Sequence, residues 1–303
     1  MADVLLALIP AVLAGCYFFG LRAAILMVVS IASCKIAEFL WCAVRRQPHT
    51  LRDCSAAVTG LLLALTLPVS VPYWVPVVGG FFAMIVVKGL GGGLGQNTFN
   101  PALAARALLV LLFPAVMTRF APVGTAISSA SMSVDMVSAA TPLHHMVMPE
   151  LPNVSLLDAF LGNLPGSIGE VSALALLIGG AYLVIRKVIS LRIPVAYLAT
   201  VAVLTLIFNK GQDPVLWMAY NLLCGGVLLG AIFMATDYAT SPVTPLGQMV
   251  YGVGCGVLTV VFRYFGLFPE GVTYAILLMN ACAWALDRIT PPRRFTSLPG
   301  GAK

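Results

Sequence analysis

Three polar segments interrupt an apolar chain, and each carries residues that could do chemistry. The first, Lys88-Gly-Leu-Gly-Gly-Gly-Leu-Gly-Gln-Asn-Thr-Phe-Asn-Pro101, sets five glycines ahead of Asn97 and Asn100. It lacks G-x-G-x-x-G spacing, because Leu94 stands where that pattern needs glycine, and it has no P-loop lysine. Two carboxamides beside free backbone N–H groups suit a polar, ring-shaped ligand. They suit equally a glycine-rich bend with amide caps for the next helix. The second, Asp237-Tyr-Ala-Thr-Ser-Pro-Val-Thr-Pro-Leu-Gly247, opens on an acid with Thr240, Ser241 and Thr244 close by. It is either a ligand site or a helix cap. The third is Asp135-Met-Val-Ser138-Ala139-Ala140-Thr141-Pro142-Leu143. As bare residues, its hydroxyls among alanines before a proline read as a turn or a helix start.

The elements that must position these segments follow from composition. Of 303 residues, 60% are apolar and 9% are charged, with mean hydropathy +0.99. Soluble domains carry about 25% charged residues, so this chain lacks the polar groups to wet a soluble surface. The reading is an all-α polytopic membrane protein forming one integral domain over 1–303, and it excludes soluble dehydrogenases, nucleic-acid binders and disulfide scaffolds. The 7 cysteines show no C-x-x-C spacing and lie mostly in apolar runs, which points to small helix residues rather than metal ligands. Leu13-Ala14-Gly15-Cys16 resembles a lipoprotein cleavage box, but no cation precedes Arg22, so the segment is expected to be a first membrane helix.

A hydrocarbon core of about 30 Å takes roughly 20 apolar residues per helix. Polar and Pro/Gly breaks mark about ten runs, near 3–20, 22–44, 55–69, 72–88, 101–118, 171–187, 193–208, 216–236, 247–265 and 270–288. Lys35 and Glu38, three residues apart, are expected to pair inward on the second. With the amino terminus inside, eleven Lys/Arg fall on the inner side, Lys88 among them, and four on the outer: Arg22, Arg119, Lys210 and Arg263. That bias puts both termini in the cytoplasm. Residues 119–170 then form one long extracytoplasmic loop, and loops of such length are seldom without a role. Gly60-Leu-Leu-Leu-Ala-Leu faintly echoes Gly226-Val-Leu-Leu-Gly-Ala five helices later, as in a 5+5 inverted repeat of the urea-transporter type.

Five motifs in order now carry a resemblance across the chain. They are Gly93-Leu-Gly-Gln-Asn-Thr-Phe-Asn-Pro-Ala102, Ser138-Ala-Ala-Thr-Pro-Leu143, Pro165-Gly-Ser-Ile-Gly-Glu-Val-Ser172, Thr236-Asp-Tyr-Ala-Thr-Ser-Pro-Val-Thr-Pro245 and Pro269-Glu-Gly-Val-Thr-Tyr-Ala275. The chain resembles the family that groups RnfD, a membrane component of the Rnf electron-transport complex, with NqrB, its counterpart in the sodium-pumping NADH:quinone oxidoreductase. The resemblance implies FMN esterified through its phosphate to the threonine of Ser-x-Ala-Thr, here Thr141, with Ser138 and Asp135 beside it. Met136 stands where the family usually has glycine. The resemblance also implies a non-covalent riboflavin near the inner surface, at Asn97, Asn100 and Asp237.

Further implications concern location and partners. The resemblance places the chain in a bacterial inner membrane, in contact with lipid and with the other Rnf subunits (A, B, C, E and G), and with no nucleic acid. A flavin transferase would attach the FMN. Electrons would pass between ferredoxin and NAD, coupled to Na⁺ or H⁺ export. The chain opens almost directly into its first helix, which favours the Rnf type over the quinone-reducing type, whose amino terminus is extended. From residues alone, a urea-type small-solute channel with no redox role is the competing class. Lys35, Glu38 and Asp237 are the in-membrane charges expected to handle an ion.

Overall fold

The structure is a computed structural model, and it describes residues 1–46, 53–92, 95–120, 155–210, 213–266 and 271–290. All named elements among them are helical, and extended pairing is limited to an isolated bridge between Pro68 and Ser167. Every expected apolar run is a helix. We number them α1 (Ala2–Phe19), α2 (Leu21–Arg45), α3 (Ser55–Leu65), α4 (Trp74–Phe81, continued by a π-helical segment Phe82–Gly89) and α5 (Pro101–Leu112). They continue as α6 (Ala173–Ile185), α7 (Arg192–Ile207), α8 (Pro214–Leu223 with Val227–Met234), α9 (Pro245–Phe265) and α10 (Val272–Ile289).

Local chemistry sets several starts. Asn100 caps α5, accepting from Ala102 and Leu103 N–H, with Pro101 at the first helical position. Ser172 caps α6 and Thr244 caps α9, the latter again followed by proline. Among the described residues, α1, α2, α9 and α10 are long and apolar enough to cross a membrane, and α8 is a fifth if its two halves count as one span. The remaining helices are apolar but shorter.

Short helices create a backbone problem. At about 1.5 Å per residue, the 11 residues of α3 reach only roughly half of a core of about 30 Å. The chain beyond α3 is therefore non-helical at depth, and its polar groups need partners. The buried Arg22 supplies them, donating to the carbonyls of Val69 at 2.9 Å, Ser70 at 3.3 Å and Val71 at 3.2 Å. Ile168 and Gly169 donate their N–H groups to the carbonyls of Leu67 and Leu65. The end of the expected loop 119–170 is thus no surface loop: Ser167 and Ile168 are buried against α3.

The second break is in α8, whose halves meet at 59° across Cys224-Gly225-Gly226. Gly225 and Gly226 take φ of 75° and 68°, a left-handed region that side chains resist. A methyl group on Gly226 would also strike the Glu170 carboxylate.

Helix pairings recur at an offset of five. α2 packs on α3 and α4 as α7 packs on α8 and α9; α4 meets α5 as α9 meets α10; α1 meets α6 and α5 meets α10. This is the contact pattern that the expected 5+5 repeat would give. The sequence echo does not share local geometry, since Gly60 lies inside α3 while Gly226 sits at the α8 break.

Candidate functional site

At the end of the bundle that carries Met1, a cavity of ≈ 120 Å³ is lined by Ser55, Lys88, Asn97, Asn100, Phe233 and Asp237, among others. The structure therefore brings the first and second polar segments of the sequence to one place. Two π-helical stretches lead into it. Phe82–Gly89 delivers Lys88, and Gly230–Met234 delivers Phe233 and the turn to Asp237. A π-helix is wider than an α-helix, and its insertion redirects the residues at its end.

The two asparagines do different jobs. Asn100 Oδ1 is committed to capping α5, and its Nδ2 donates to the Met234 carbonyl, 134 residues on, at 3.3 Å. That bond ties the start of α5 to the end of α8. With the Asn280 carboxamide turned to satisfy its neighbours, its oxygen accepts from Asn100 N–H at 3.1 Å and its nitrogen donates to the Tyr251 hydroxyl. Asn97 is buried, and its Oδ1 accepts no hydrogen bond within the described residues. A buried acceptor with no donor costs about 1–3 kcal/mol, so the cavity suits an occupant that offers an N–H.

Asp237 lies in the turn after α8. Its carbonyl accepts from Thr240 and Ser241 N–H, and its carboxylate from Ala239 N–H at 3.3 Å. Burial holds its carboxyl above the usual carboxylate range, and the Ala239 hydrogen bond draws it part of the way back.

The expected Lys35–Glu38 pair is not formed. Lys35 is exposed, whereas Glu38 is buried and pairs with Lys88, whose Nζ lies 2.5 Å from Glu38 Oε1 and 2.6 Å from Ser55 Oγ. Lys88 is therefore a wall of the cavity rather than a loop cation. Nor are Arg22 and Arg263 loop cations, since both are buried. The sequence signal for Glu38 was sound, an acid within an apolar helix; its partner was fifty residues away.

A second polar cluster lies away from the cavity, around the α8 break. Arg263, buried on α9, donates to the carbonyls of Asn221 at 2.5 Å, Cys224 at 2.9 Å and Gly225 at 3.3 Å, and to Asn221 Oδ1 at 3.2 Å. On the other side of the break, Arg106 Nη1 stands 3.8 Å from Glu170 Oε1, both side chains buried. Asp135, Ser138 and Thr141, with residues 121–154 as a whole, lie outside the described residues.

Comparison with known proteins follows the same length of chain. Residues 1–296 match the NQR2, RnfD, RnfE family. The chain is 46% identical over 298 residues to the D component of the Na⁺-translocating ferredoxin:NAD⁺ oxidoreductase complex of Acetobacterium woodii, spanning 97% of this chain and 89% of that one. It is 40% identical over 309 residues to the D component of the proton-translocating ferredoxin:NAD⁺ oxidoreductase complex of Clostridium ljungdahlii, spanning 97% and 90%. It is 38% identical over 325 residues to the D component of the ion-translocating oxidoreductase complex of Halorhodospira halophila, again spanning 97% and 90%.

Proposed function

Since the chain belongs to the NQR2, RnfD, RnfE family, we propose that it is the electron-carrying membrane component of an Rnf-type ion-translocating oxidoreductase. In this reading it works among the other subunits of that complex, and electrons pass through it between ferredoxin and NAD while Na⁺ or H⁺ is exported. Relatives named for each ion are similarly close, so likeness does not choose between the two. All three relatives are named as oxidoreductase components, which favours a redox role over a small-solute channel.

Two flavins fit the role. FMN is esterified to Thr141 by a flavin transferase, with Ser138 and Asp135 beside the acceptor. Riboflavin occupies the cavity at the Met1 end. When bound, such rings accept one or two electrons; the protein supplies binding, orientation and electrostatics. A single carrier cannot span a core of about 30 Å, which supports a pair. The observation that carries the reading is the cavity itself, where Asn97 presents an unmet buried acceptor and Asp237 shares the wall. Asn97 Oδ1 would receive a ring N–H. Asn100 would hold the wall in place through Met234, and the apolar flank at Phe233 would exclude water. Charge bias supports placing this end in the cytoplasm. Once buried Lys88 leaves the inner count and buried Arg22 and Arg263 leave the outer, eleven against four becomes ten against two.

The test separates the two flavins. Thr141→Ala should abolish the fluorescent flavin band on this protein in a denaturing gel and leave acid-extractable riboflavin in the complex. Asn97→Leu should do the reverse. A wild-type protein with neither flavin would end the proposal.

A further inference from the structure

The Lys88–Glu38 pair is directional with respect to the cavity. Lys88 and Ser55 form part of its wall, and Glu38 does not. Lys88 is therefore the member of the pair that borders the space, and Glu38 stands behind it, with a separation of 2.5 Å between Nζ and Oε1. Two of the three ammonium donors are used, one on Glu38 and one on Ser55, and the third meets no other acceptor among the described residues. Asp237 also lines the cavity, and its carboxylate accepts from Ala239 N–H.

We propose that Lys88, held by Glu38, sets the reduction potential of the ring cofactor in this cavity. The proposal rests on the reading that a flavin binds there. Reduction adds negative charge to the ring, so a cation in the wall stabilises the reduced form more than the oxidised one. A buried site screens that interaction poorly. Glu38 fixes the ammonium and partly cancels its field, so the two residues act with opposite signs. Ser55, at the first turn of α3, fixes the lysine from the other side and keeps its charge at the wall.

The experiment is redox titration of the purified complex, following riboflavin absorbance with the Thr141-linked flavin as internal reference. Lys88→Met, which removes the cation and keeps the Glu38 carboxylate, should shift the riboflavin equilibrium toward the oxidised form by tenfold or more, about 30 mV for a two-electron couple. Glu38→Gln, which frees the ammonium, should shift it at least tenfold the other way. The Thr141-linked flavin should not move. A damaged fold gives no reason for two single variants to shift one flavin in opposite directions. Shifts of the same sign, or of less than tenfold in both, overturn the proposal. Should either single variant lose riboflavin or fail to insert, the double variant Lys88→Met with Glu38→Gln decides, because it leaves no unpaired buried charge. Its potential must lie below wild type, and a value at or above wild type overturns the proposal. A wild-type complex without extractable riboflavin sinks the site reading before any variant is made, so the two failures are distinct.

Discussion

Replacing Arg263 by methionine tests whether the α8 break depends on its guanidinium. Four oxygens, on Asn221, Cys224 and Gly225, receive hydrogen bonds from this one side chain. Bonds to a charged group contribute about 1.5–3 kcal/mol each, so a simple sum overshoots. Burying the guanidinium already costs several kcal/mol, and the Asn221 carboxamide can turn to a new partner. What remains is the cost of stranding three backbone carbonyls in a dry interior. Removing one member of a buried charged network costs about 3–5 kcal/mol. At roughly 2 °C per kcal/mol for a chain of this size, the midpoint should fall on the order of 6–10 °C. Arg263→Lys keeps the charge but loses the planar fork, so it should fall in between. The assay is a thermal melt of detergent-solubilised protein read by size-exclusion fluorescence. A methionine variant melting within about 1 °C of wild type would refute the account of the break.

Two further outcomes follow from the cavity. Asn100→Ala removes the α5 cap, at about 1 kcal/mol, and cuts the tie to Met234, so extractable riboflavin should drop although Asn97 is intact. Asn100→Ser restores the cap but not the tie and should recover stability without recovering riboflavin. Asp237 has a folded-state carboxyl raised above its unfolded value, so the folded protein binds the proton more tightly and stability falls as pH rises through that window. Asp237→Asn should therefore melt higher than wild type at neutral pH, and the difference should vanish below the ordinary carboxylate range.

Helix positions were legible because apolar runs and their Pro/Gly breaks are written locally. α5 begins at the expected residue 101, after Asn100, whereas α9 begins at Pro245, two residues before the expected 247, because Thr244 caps it. Helix order and charge bias put Asn97, Asn100 and Asp237 on the same inner side, but only the resemblance made them one site, since no spacing links residue 100 to residue 237. What stayed hidden was pairing over distance. Lys35 and Glu38 have the right spacing for one helix face, but Lys35 sits on the exposed side of α2, where a long stem carries its ammonium to polar surroundings. Arg22, Lys88 and Arg263 stand at the ends of apolar runs and so looked like loop cations; only the fold shows the carbonyls and the carboxylate they serve. Pro165–Ser172 was readable as a motif and not as a strap. Its role depends on α3 being too short, and helix length is the least certain reading of a sequence.

The breaks explain why one end of this bundle can host a ligand. Wherever a helix stops at depth, polar backbone is left that hydrocarbon cannot satisfy. Beyond α3 and at the α8 break, the chain answers with its own cations, Arg22 on three carbonyls and Arg263 on three carbonyls and a carboxamide. At those breaks the named carbonyls are met by the protein itself. At the end of α4 and the start of α5, the answer is incomplete. Lys88 is met by Glu38 and Ser55, and Asn100 by the α5 N–H groups and Met234, yet Asn97 keeps a buried oxygen without a donor among the described residues. Unmet polarity in a shaped cavity is a place for a partner from outside the chain. Substituting Arg22 or Arg263 should lower stability without changing flavin content, and substituting Asn97 should change flavin content with little cost in stability.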